Sequence, residues 1–237
     1  MNAFEIAALS MDVDMQRMSN IGQNLANVQT AGYKRVVTAQ RPFVDVLASA
    51  QAQPGADTAL DMSAGPLRTS PSPLDPTVEG DGFFEFETPD GAALSRQAVL
   101  HVDAKGRLVN DAGLPIRSER GDVHVGVGAS GLRIDGQGEI WADDRSLGRL
   151  SLSRVGHPAA LQPLGGGLYR PAADDAPQAL EAPRVLSGQR EGSNVSSSAE
   201  MVRMMETTRH FEAMAKVVQG YDEAMDKAIR KLGDLGA

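Results

Sequence analysis

Residues 126 to 131 have glycines in the pattern G-x-G-x-x-G, which is typical of dinucleotide-binding loops. Such a loop binds a pyrophosphate at the N-terminus of the helix that follows it, because free N–H groups point at the ligand there. Residues 132 to 136 instead have the pattern of a strand that enters a hairpin turn. A glycine-rich connection between strands is therefore the favoured interpretation, and a nucleotide-binding enzyme is the alternative.

The spacing of the other reactive residues does not favour a metal site or a nucleophile. The segment 135 to 139 superficially resembles a calcium loop but lacks the ligand spacing of an EF-hand. The histidines lack the i, i+4 spacing of metal ligands; they are His101, His124, His157 and His210. The sequence contains no cysteine, no P-loop and no G-x-S-x-G motif. These observations predict a protein that is not an enzyme and that needs no cofactor or metal.

The composition argues against further classes of partner. The 237 residues carry a formal net charge of −8, whereas nucleic acids and anionic membrane surfaces are bound by cationic patches. No stretch approaches the roughly 18 apolar residues that a membrane span requires. The first basic residue is Arg17, and Glu5, Asp12 and Asp14 interrupt the early apolar residues. We therefore expect no nucleic-acid partner, no membrane insertion and no cleavable signal peptide.

A helical stripe of apolar residues runs through residues 4 to 28. Its members are separated alternately by four and three positions, as in the seam of a coiled coil. They are Phe4, Ala8, Met11, Met15, Met18, Gly22 and Leu25, with Ile21 and Val28 beside them. Polar residues, Asp14 among them, lie mostly off this predicted seam, and Gly32 is a signal for the end of the helix.

The last part of the chain has a second stripe of the same spacing. Ser197 and Glu200 form a capping-box pattern, which predicts the start of a helix, and Gly233 predicts its end. The stripe consists of Met201, Met204, Thr208, Phe211, Ala215, Val218, Asp222, Met225, Ile229 and Leu232. The two helical segments hold eight of the ten methionines. Because a lone helix with an exposed apolar stripe is marginal, the stripes must pack on each other or on neighbouring chains.

Short strands are predicted between the two helices. Residues 36 to 75 include a Pro/Ser-rich run and predict an extended or irregular linker. From about residue 76 to 170, short alternating segments are separated by turns that contain glycine, which is typical of antiparallel β structure. We predict an α+β fold with paired, coiled-coil-like N- and C-terminal helices and a central antiparallel β domain. The predicted segments are an N-terminal helix with its signature (1–35), a linker (36–75), a β-rich outer domain (76–183) and a C-terminal helix (184–237).

The segment 23 to 35 is the most distinctive part of the sequence. Asn24 and Asn27 are amides near a helix end, where they can bond free carbonyls or a neighbouring backbone. Gly32 permits a reversal, and Tyr33 begins an amphipathic exit from it. An ordinary helix C-terminus is the alternative interpretation, and composition alone does not choose between the two.

The same segment closely resembles the N-terminal signature of bacterial flagellar rod and hook proteins, N-x-x-A-N-x-x-T-x-G-[FY]-[KR]. The matching residues are Asn24, Ala26, Asn27, Thr30, Gly32, Tyr33 and Lys34. Residues 193 to 212 are similar to the closing pattern of that family, S-N-V followed by E-M-V-x-M-I-x-x-x-R-x-[FY]-E, and residues 82 to 109 resemble its central motifs. The resemblance covers nearly the whole chain and is nearest to the proximal-rod type, although Ala31 and Tyr33 depart from the commoner residues.

The resemblance implies a structural subunit of the basal-body rod in the periplasm, which transmits torque from the motor to the hook. Its expected partners are other copies of itself, neighbouring rod proteins and the flagellar type III export apparatus. A distal-rod or hook-type axial protein is one alternative, and a secreted adhesin with a helical stalk is another. The residues expected at the assembly interface are Phe4, Met11, Met15, Met18, Ile21, Asn24, Leu25, Asn27, Thr30, Gly32, Tyr33, Asn194, Met201, Met204, Arg209, Phe211, Val218, Met225 and Ile229.

Overall fold

The computed structural model describes residues 3–38, 58–126, 131–172 and 174–234, without the side chains of Ala3 and of 232–234. Helix α1 (Ala3–Ala26) and helix α2 (Ser197–Asp234) flank a region of short antiparallel strands. The predicted α+β fold is therefore confirmed. Residues 127–130 of the glycine pattern and the side chain of Leu232 lie outside the described residues.

The strands are short, and most contain two to five residues. They are β1 (Val36–Thr38), β2 (Thr58–Leu60), β3 (Leu67–Thr69), β4 (Thr77–Glu79), β5 (Phe83–Thr88), β6 (Gly91–Ser95), β7 (His101–Val102), β8 (Leu108–Val109), β9 (Arg117–Ser118), β10 (Gly121–Asp122), β11 (Arg133–Ile134), β12 (Glu139–Ala142), β13 (Arg145–Arg149), β14 (Leu152–Arg154), β15 (Gln162–Gly165), β16 (Leu168–Arg170), β17 (Gln178–Ala179), β18 (Arg184–Leu186) and β19 (Gln189–Glu191).

The chain divides into two compact units. The first contains α1, β1 and α2, and the second contains Asn27–Arg35 and Leu60–Val195. Among the described residues of the predicted linker, β1, β2 and β3 are regular strands, so that segment is not irregular throughout. The predicted segment boundaries themselves stay a prediction.

In the first unit, α1 and α2 pack antiparallel. The ring of Phe4 lies 6.0 Å from that of Tyr221, Thr208 contacts Met18, and the amide of Asn24 lies 3.4 Å from the carboxylate of Glu200. Residues at the start of α1 therefore contact later residues of α2, and residues at the end of α1 contact the start of α2. The knobs-into-holes packing of a coiled coil stays a prediction.

The buried side of α1 is rotated relative to the predicted seam. Ala7, Asp14 and Ile21 are buried at seven-residue spacing, whereas Met15 is 51% exposed. Asp14 lies off the predicted seam but is buried in the structure, although a lone carboxylate is costly to bury. It is tolerated there because α2 supplies it with a partner, which the pattern of α1 alone does not reveal.

The second unit is built around a six-stranded antiparallel sheet with the order β15-β16-β6-β5-β14-β17. Strand β5 follows the predicted alternation, since Phe84 and Phe86 are buried while Glu87 is exposed. Truncating such a buried phenylalanine to alanine typically costs about 3–5 kcal/mol. The aromatic side chains pack into one cluster, whose other fully buried members include Leu108, Ile116, Ile140 and Leu150.

Two antiparallel ribbons join distant parts of the sequence within this unit. Strand β3 pairs with β19, and β4 pairs with β18. After Gly131 the chain forms β11 and a hairpin to β12, as predicted for residues 132 to 136. The segment that follows the glycine pattern is therefore a strand, so it does not supply the helix N-terminus that a pyrophosphate needs.

Candidate assembly site

Asp14 is a charged side chain of the helix pair that is only 1% exposed, as is Glu200. Nδ1 of His210 donates to its Oδ2 over 2.5 Å, because an ionised carboxylate can only accept. A guanidinium nitrogen of Arg17, three residues along α1, lies 3.6 Å from Oδ1. The two partners together compensate for the removal of this carboxylate from water.

Asn24 binds the backbone of β1 with both ends of its amide. Nδ2 donates to the carbonyl of Val36 and Oδ1 accepts from the N–H of Val36, both over 2.8 Å. Its Nδ2 also lies 3.4 Å from Glu200 of α2. The signature asparagine therefore substitutes for a neighbouring strand, which satisfies a backbone donor and acceptor that would otherwise be buried alone.

The helix pair also exposes many large apolar side chains. Their exposed fractions lie between 39% and 63%. They are Phe4, Ile6, Met15, Met201, Val202, Met205, Val217, Met225 and Ile229. Phe4 in the first turn of α1 contacts Tyr221, and α2 continues to Asp234 with every side chain from 222 to 231 exposed.

In the second unit, Gly32 forms the turn that follows Asn27. Its φ is +67°, and its N–H donates to the carbonyl of Glu191 over 2.8 Å. A Cβ at this position would lie 2.9 Å from Cβ of Gln97. Both the left-handed backbone and the close neighbour therefore require glycine here.

Lys34 is buried at 1% exposure and forms an ion pair with Glu191. The Nζ–Oε1 distance is 2.6 Å, and Nζ also donates to the carbonyl of Ser63 over 2.8 Å. The N–H of Gly65 donates to the same carboxylate over 2.9 Å, and Nε of Arg96 lies 3.6 Å from its other oxygen. Burial lowers the pKa of Lys34, although its bond to Glu191 opposes that change.

Tyr169 connects this ion pair to the turn. Its hydroxyl accepts from the N–H of Lys34 over 2.7 Å and donates to the carbonyl of Gly32 over 3.2 Å. Burial raises the pKa of the hydroxyl, so it remains a donor at any physiological pH. The hydroxyl of Tyr169 therefore bonds both a backbone donor and a backbone acceptor of the turn.

Asn194 joins the last part of the turn to residues 61 to 63. Its Oδ1 accepts from the N–H of Arg35 and its Nδ2 donates to the carbonyl of Asp61, both over 2.7 Å. Arg35 also pairs with the carboxylate of Asp61 over 3.1 Å. Hydrogen bonds from Ser63 lower the pKa of Asp61 in spite of partial desolvation.

Two segments of the chain match families of flagellar proteins. Residues 77–142 match the family described as flagellar hook protein FlgE/F/G D1 domain. Residues 186–231 match the family described as flagellar basal body rod FlgEFG protein C-terminal. In these segments the chain is similar to flagellar hook and basal-body rod proteins.

Curated basal-body rod proteins align with this chain over most of its length. The basal-body rod protein FlgG of Buchnera aphidicola subsp. Schizaphis graminum is 27% identical, with 94% of this chain and 96% of the relative covered. FlgF of Caulobacter vibrioides is 28% identical with 96% of each covered, and FlgF of Escherichia coli is 28% identical with 94% of each covered. The similarity thus extends over nearly the whole chain for FlgG and FlgF relatives alike.

The signature residues of this chain have local structural partners. In the second unit, Tyr169 bonds the backbone of Gly32 and Lys34. Asn194 accepts from the N–H of the next residue, Arg35. In the first unit, Asn24 and Ile21 are buried at 1% and 7%, whereas Met201 and Ile229 are exposed. Whether the predicted interface residues contact other subunits stays a prediction.

Several residues that make the contacts described above are absent from the predicted interface. They are Asp14, Lys34, Arg96, Tyr169, Glu191, Glu200 and His210. Lys34, Arg96 and Glu200 stand inside the resembling segments 24–34, 82–109 and 193–212, so the motifs themselves were the available signal. Tyr169 and Glu191 carry no such signal, because their positions depend on sheet pairing.

Two kinds of feature are absent from the described residues, a membrane-spanning helix and a metal-binding group. None of their helices combines the length and the apolar character that crossing a membrane requires. In the same residues, no three His, Asp or Glu side chains are grouped so that they could hold a metal ion.

Proposed function

We propose that this protein is a proximal-rod subunit of the FlgF type, which assembles through its terminal helices and transmits torque along the rod. The single observation that supports assembly most strongly is the set of large apolar side chains exposed on α1 and α2. Contiguous exposed apolar surface on a soluble protein marks an interaction site. The partners in this proposal are other copies of the chain and neighbouring rod proteins.

The predicted interface residues divide into two groups in this proposal. Phe4, Met15, Met201, Met225 and Ile229 contact other subunits, because they are exposed within the single chain. Ile21, Asn24, Gly32 and Tyr33 are buried, so they contribute by holding their own unit in its folded form.

The length of the alignments supports the proximal type. Alignments with the FlgF relatives extend over 234 to 243 residues, close to the 237 of this chain. Those with the FlgG relatives extend over 256 to 269 residues, which requires longer gaps. Sequence identity does not separate the two types, because it lies between 25% and 28% for both.

Assembly is tested by placing a charge on the exposed face of α2. Met201→Asp with Met205→Asp introduces two carboxylates where a neighbour would pack, so we expect loss of the chain from purified basal bodies and loss of swimming. Leu164→Asp is the matched control, since Leu164 is 41% exposed on β15 in the second unit. Normal swimming of the double variant would contradict assembly through this face.

The position in the rod is tested by immunogold labelling of isolated basal bodies that carry a tag in the β-rich unit. The proposal expects gold at the end of the rod nearest the cytoplasmic membrane. Gold at the hook end would support the distal-rod alternative instead. Export through the flagellar type III apparatus is tested in a strain that lacks that apparatus, where the full-length chain should stay in the cytoplasm.

A further inference from the structure

The apolar seam between α1 and α2 defines their register poorly by itself. Its half-buried members include Met11 and Met18 on α1 and Met204 and Met214 on α2. Methionine has three rotatable side-chain bonds and fills many different gaps, so a seam rich in it accepts more than one alignment.

A second alignment is available because the apolar stripe of α2 is longer than the part that α1 covers. Phe4 contacts Tyr221, and the stripe continues beyond that contact with Met225 and Ile229, which are 46% and 63% exposed. If α1 moved by seven residues toward the end of α2, it would cover these two side chains. Burial of these two side chains would therefore favour the shifted pairing at that end of α2.

Two polar contacts oppose that shift. Asp14 bonds His210, and Asn24 lies 3.4 Å from Glu200. The contacts are ten positions apart on each helix and run in opposite directions, so one antiparallel register satisfies both. After a seven-residue shift, Asp14 would lie opposite Val217 and Asn24 opposite Thr207, which would leave a carboxylate buried in an apolar seam.

The two contacts share one design. Asp14, Asn24 and Glu200 are each 1% exposed, although they belong to different helices. Each buried carboxylate also has a guanidinium three positions further along its own helix, Arg17 for Asp14 and Arg203 for Glu200. Because these guanidinium groups move with their own helix, only the contacts that cross between helices depend on register.

We infer that the Asp14–His210 and Asn24–Glu200 contacts determine the register of the helix pair and keep Met225 and Ile229 exposed. Buried polar residues have this role in coiled coils, where they select one alignment among several that the apolar residues permit. The use of the exposed end by a neighbouring subunit rests on the proposed function, whereas the register itself does not.

The absence of cysteine from the chain permits a direct measurement of register. Met18→Cys with Thr208→Cys reports the observed register, because these two side chains are in contact. Met18→Cys with Ala215→Cys reports the register shifted by seven residues. Each full-length purified protein is treated at low concentration with a short thiol cross-linker, and the intramolecular product is measured on a denaturing gel.

In the otherwise wild-type protein, the cysteine pair at 18 and 208 should cross-link. When the polar contact is replaced, the pair at 18 and 215 should also cross-link. In an Asp14→Leu, His210→Leu background, we expect the ratio of shifted to observed cross-link to rise by about tenfold or more, as for a pairwise coupling of about 1.4 kcal/mol. The control background is Met11→Leu, Met214→Leu, which changes the seam without a polar contact and should leave the ratio unchanged.

An unchanged ratio in the double-leucine background, with normal helical circular dichroism, would overturn the inference. If that background does not fold, His210→Ala alone is used, since His210 is 48% exposed and its removal leaves the seam intact; an unchanged ratio there has the same meaning. Asp14→Asn keeps the acceptor for His210 and should retain the wild-type ratio. The cross-link is formed in free monomer, so its outcome is independent of whether Met201→Asp blocks assembly.

Discussion

The turn site, which consists of Gly32, Lys34, Tyr169 and Glu191, differs from the helix pair in which groups it buries. In the turn site, the ion pair of Lys34 and Glu191 and the hydroxyl of Tyr169 are buried and bonded to one another. On the helix pair, large apolar side chains such as Met201 and Ile229 remain in contact with water. The turn site is thus complete within one chain, whereas the helix pair has surface left to bury.

The comparison leads to a simple expectation about substitutions. Changes in the turn site should lower the stability of the second unit, while changes on the exposed helix face should affect assembly alone. The two units can be followed separately, because Trp141 is the only tryptophan and lies in the second unit, while the helical circular dichroism comes mainly from α1 and α2.

Lys34→Met should produce the largest loss of stability. It leaves Glu191 buried with Arg96 as its nearest remaining cation, at 3.6 Å. Removing one partner of a buried ion pair typically costs about 3–5 kcal/mol. Urea unfolding followed by Trp141 fluorescence measures the change, with Lys105→Met in an exposed turn as the control; equal stability of the two variants would show that the ion pair is dispensable.

Gly32→Ala should rank second, at about 2–3 kcal/mol, since it combines a left-handed backbone with a clash. The clash is the 2.9 Å approach to Cβ of Gln97. Gly113→Ala is a matched control, because Gly113 has a similar φ of +75° but nothing within 4 Å of the added Cβ. The difference between the two midpoints in urea isolates the clash, and no difference would exclude it.

Acid should weaken the second unit through Asp61. The folded state lowers the pKa of Asp61 below its ordinary value of 3.8. The stabilisation is therefore present above pH 3.8 and is lost as the pH falls through the lower folded value. Stability measured between pH 5 and 2.5 should fall less steeply for Asp61→Asn than for the wild type; identical slopes would contradict a role for Asp61.

Met225→Gln should have the smallest effect on the stability of the isolated chain, within about 0.5 kcal/mol, because its side chain is already half exposed. Thermal unfolding followed by circular dichroism at 222 nm tests this, with Ile21→Gln in the buried seam as the contrasting variant. A large loss from Met225→Gln would mean that this residue packs within the chain.

Local sequence patterns predicted much of the fold. The features that were not predicted depend on residues that are far apart in the sequence. The alternation of Phe84 and Phe86 with their polar neighbours predicted β5, and the 3/4 spacing predicted both helices. Asp14 was misplaced because its partner His210 is 196 positions away. Strand β3 was read as linker because its partner β19 lies more than 110 residues further along.

The signature motifs illustrate the same limit at the candidate site. Resemblance marked Gly32, Lys34 and Asn194 as important without assigning a physical role to them. Their roles become clear only where sheet pairing brings Tyr169 and Glu191 to the turn. The roles of these motif residues are thus explained by hydrogen bonds to residues outside the motif.

The pairing of Lys34 with Glu191 also determines when the second unit can finish folding. The two residues are 157 positions apart, and joining the ends of a flexible loop of that length costs about 4–5 kcal/mol before any further contact is made. A chain that enters a compartment with its N-terminus first therefore cannot complete this unit until residue 191 has arrived. The turn that follows α1 thus remains open for most of the delivery of the chain, and its completion is a late event in folding.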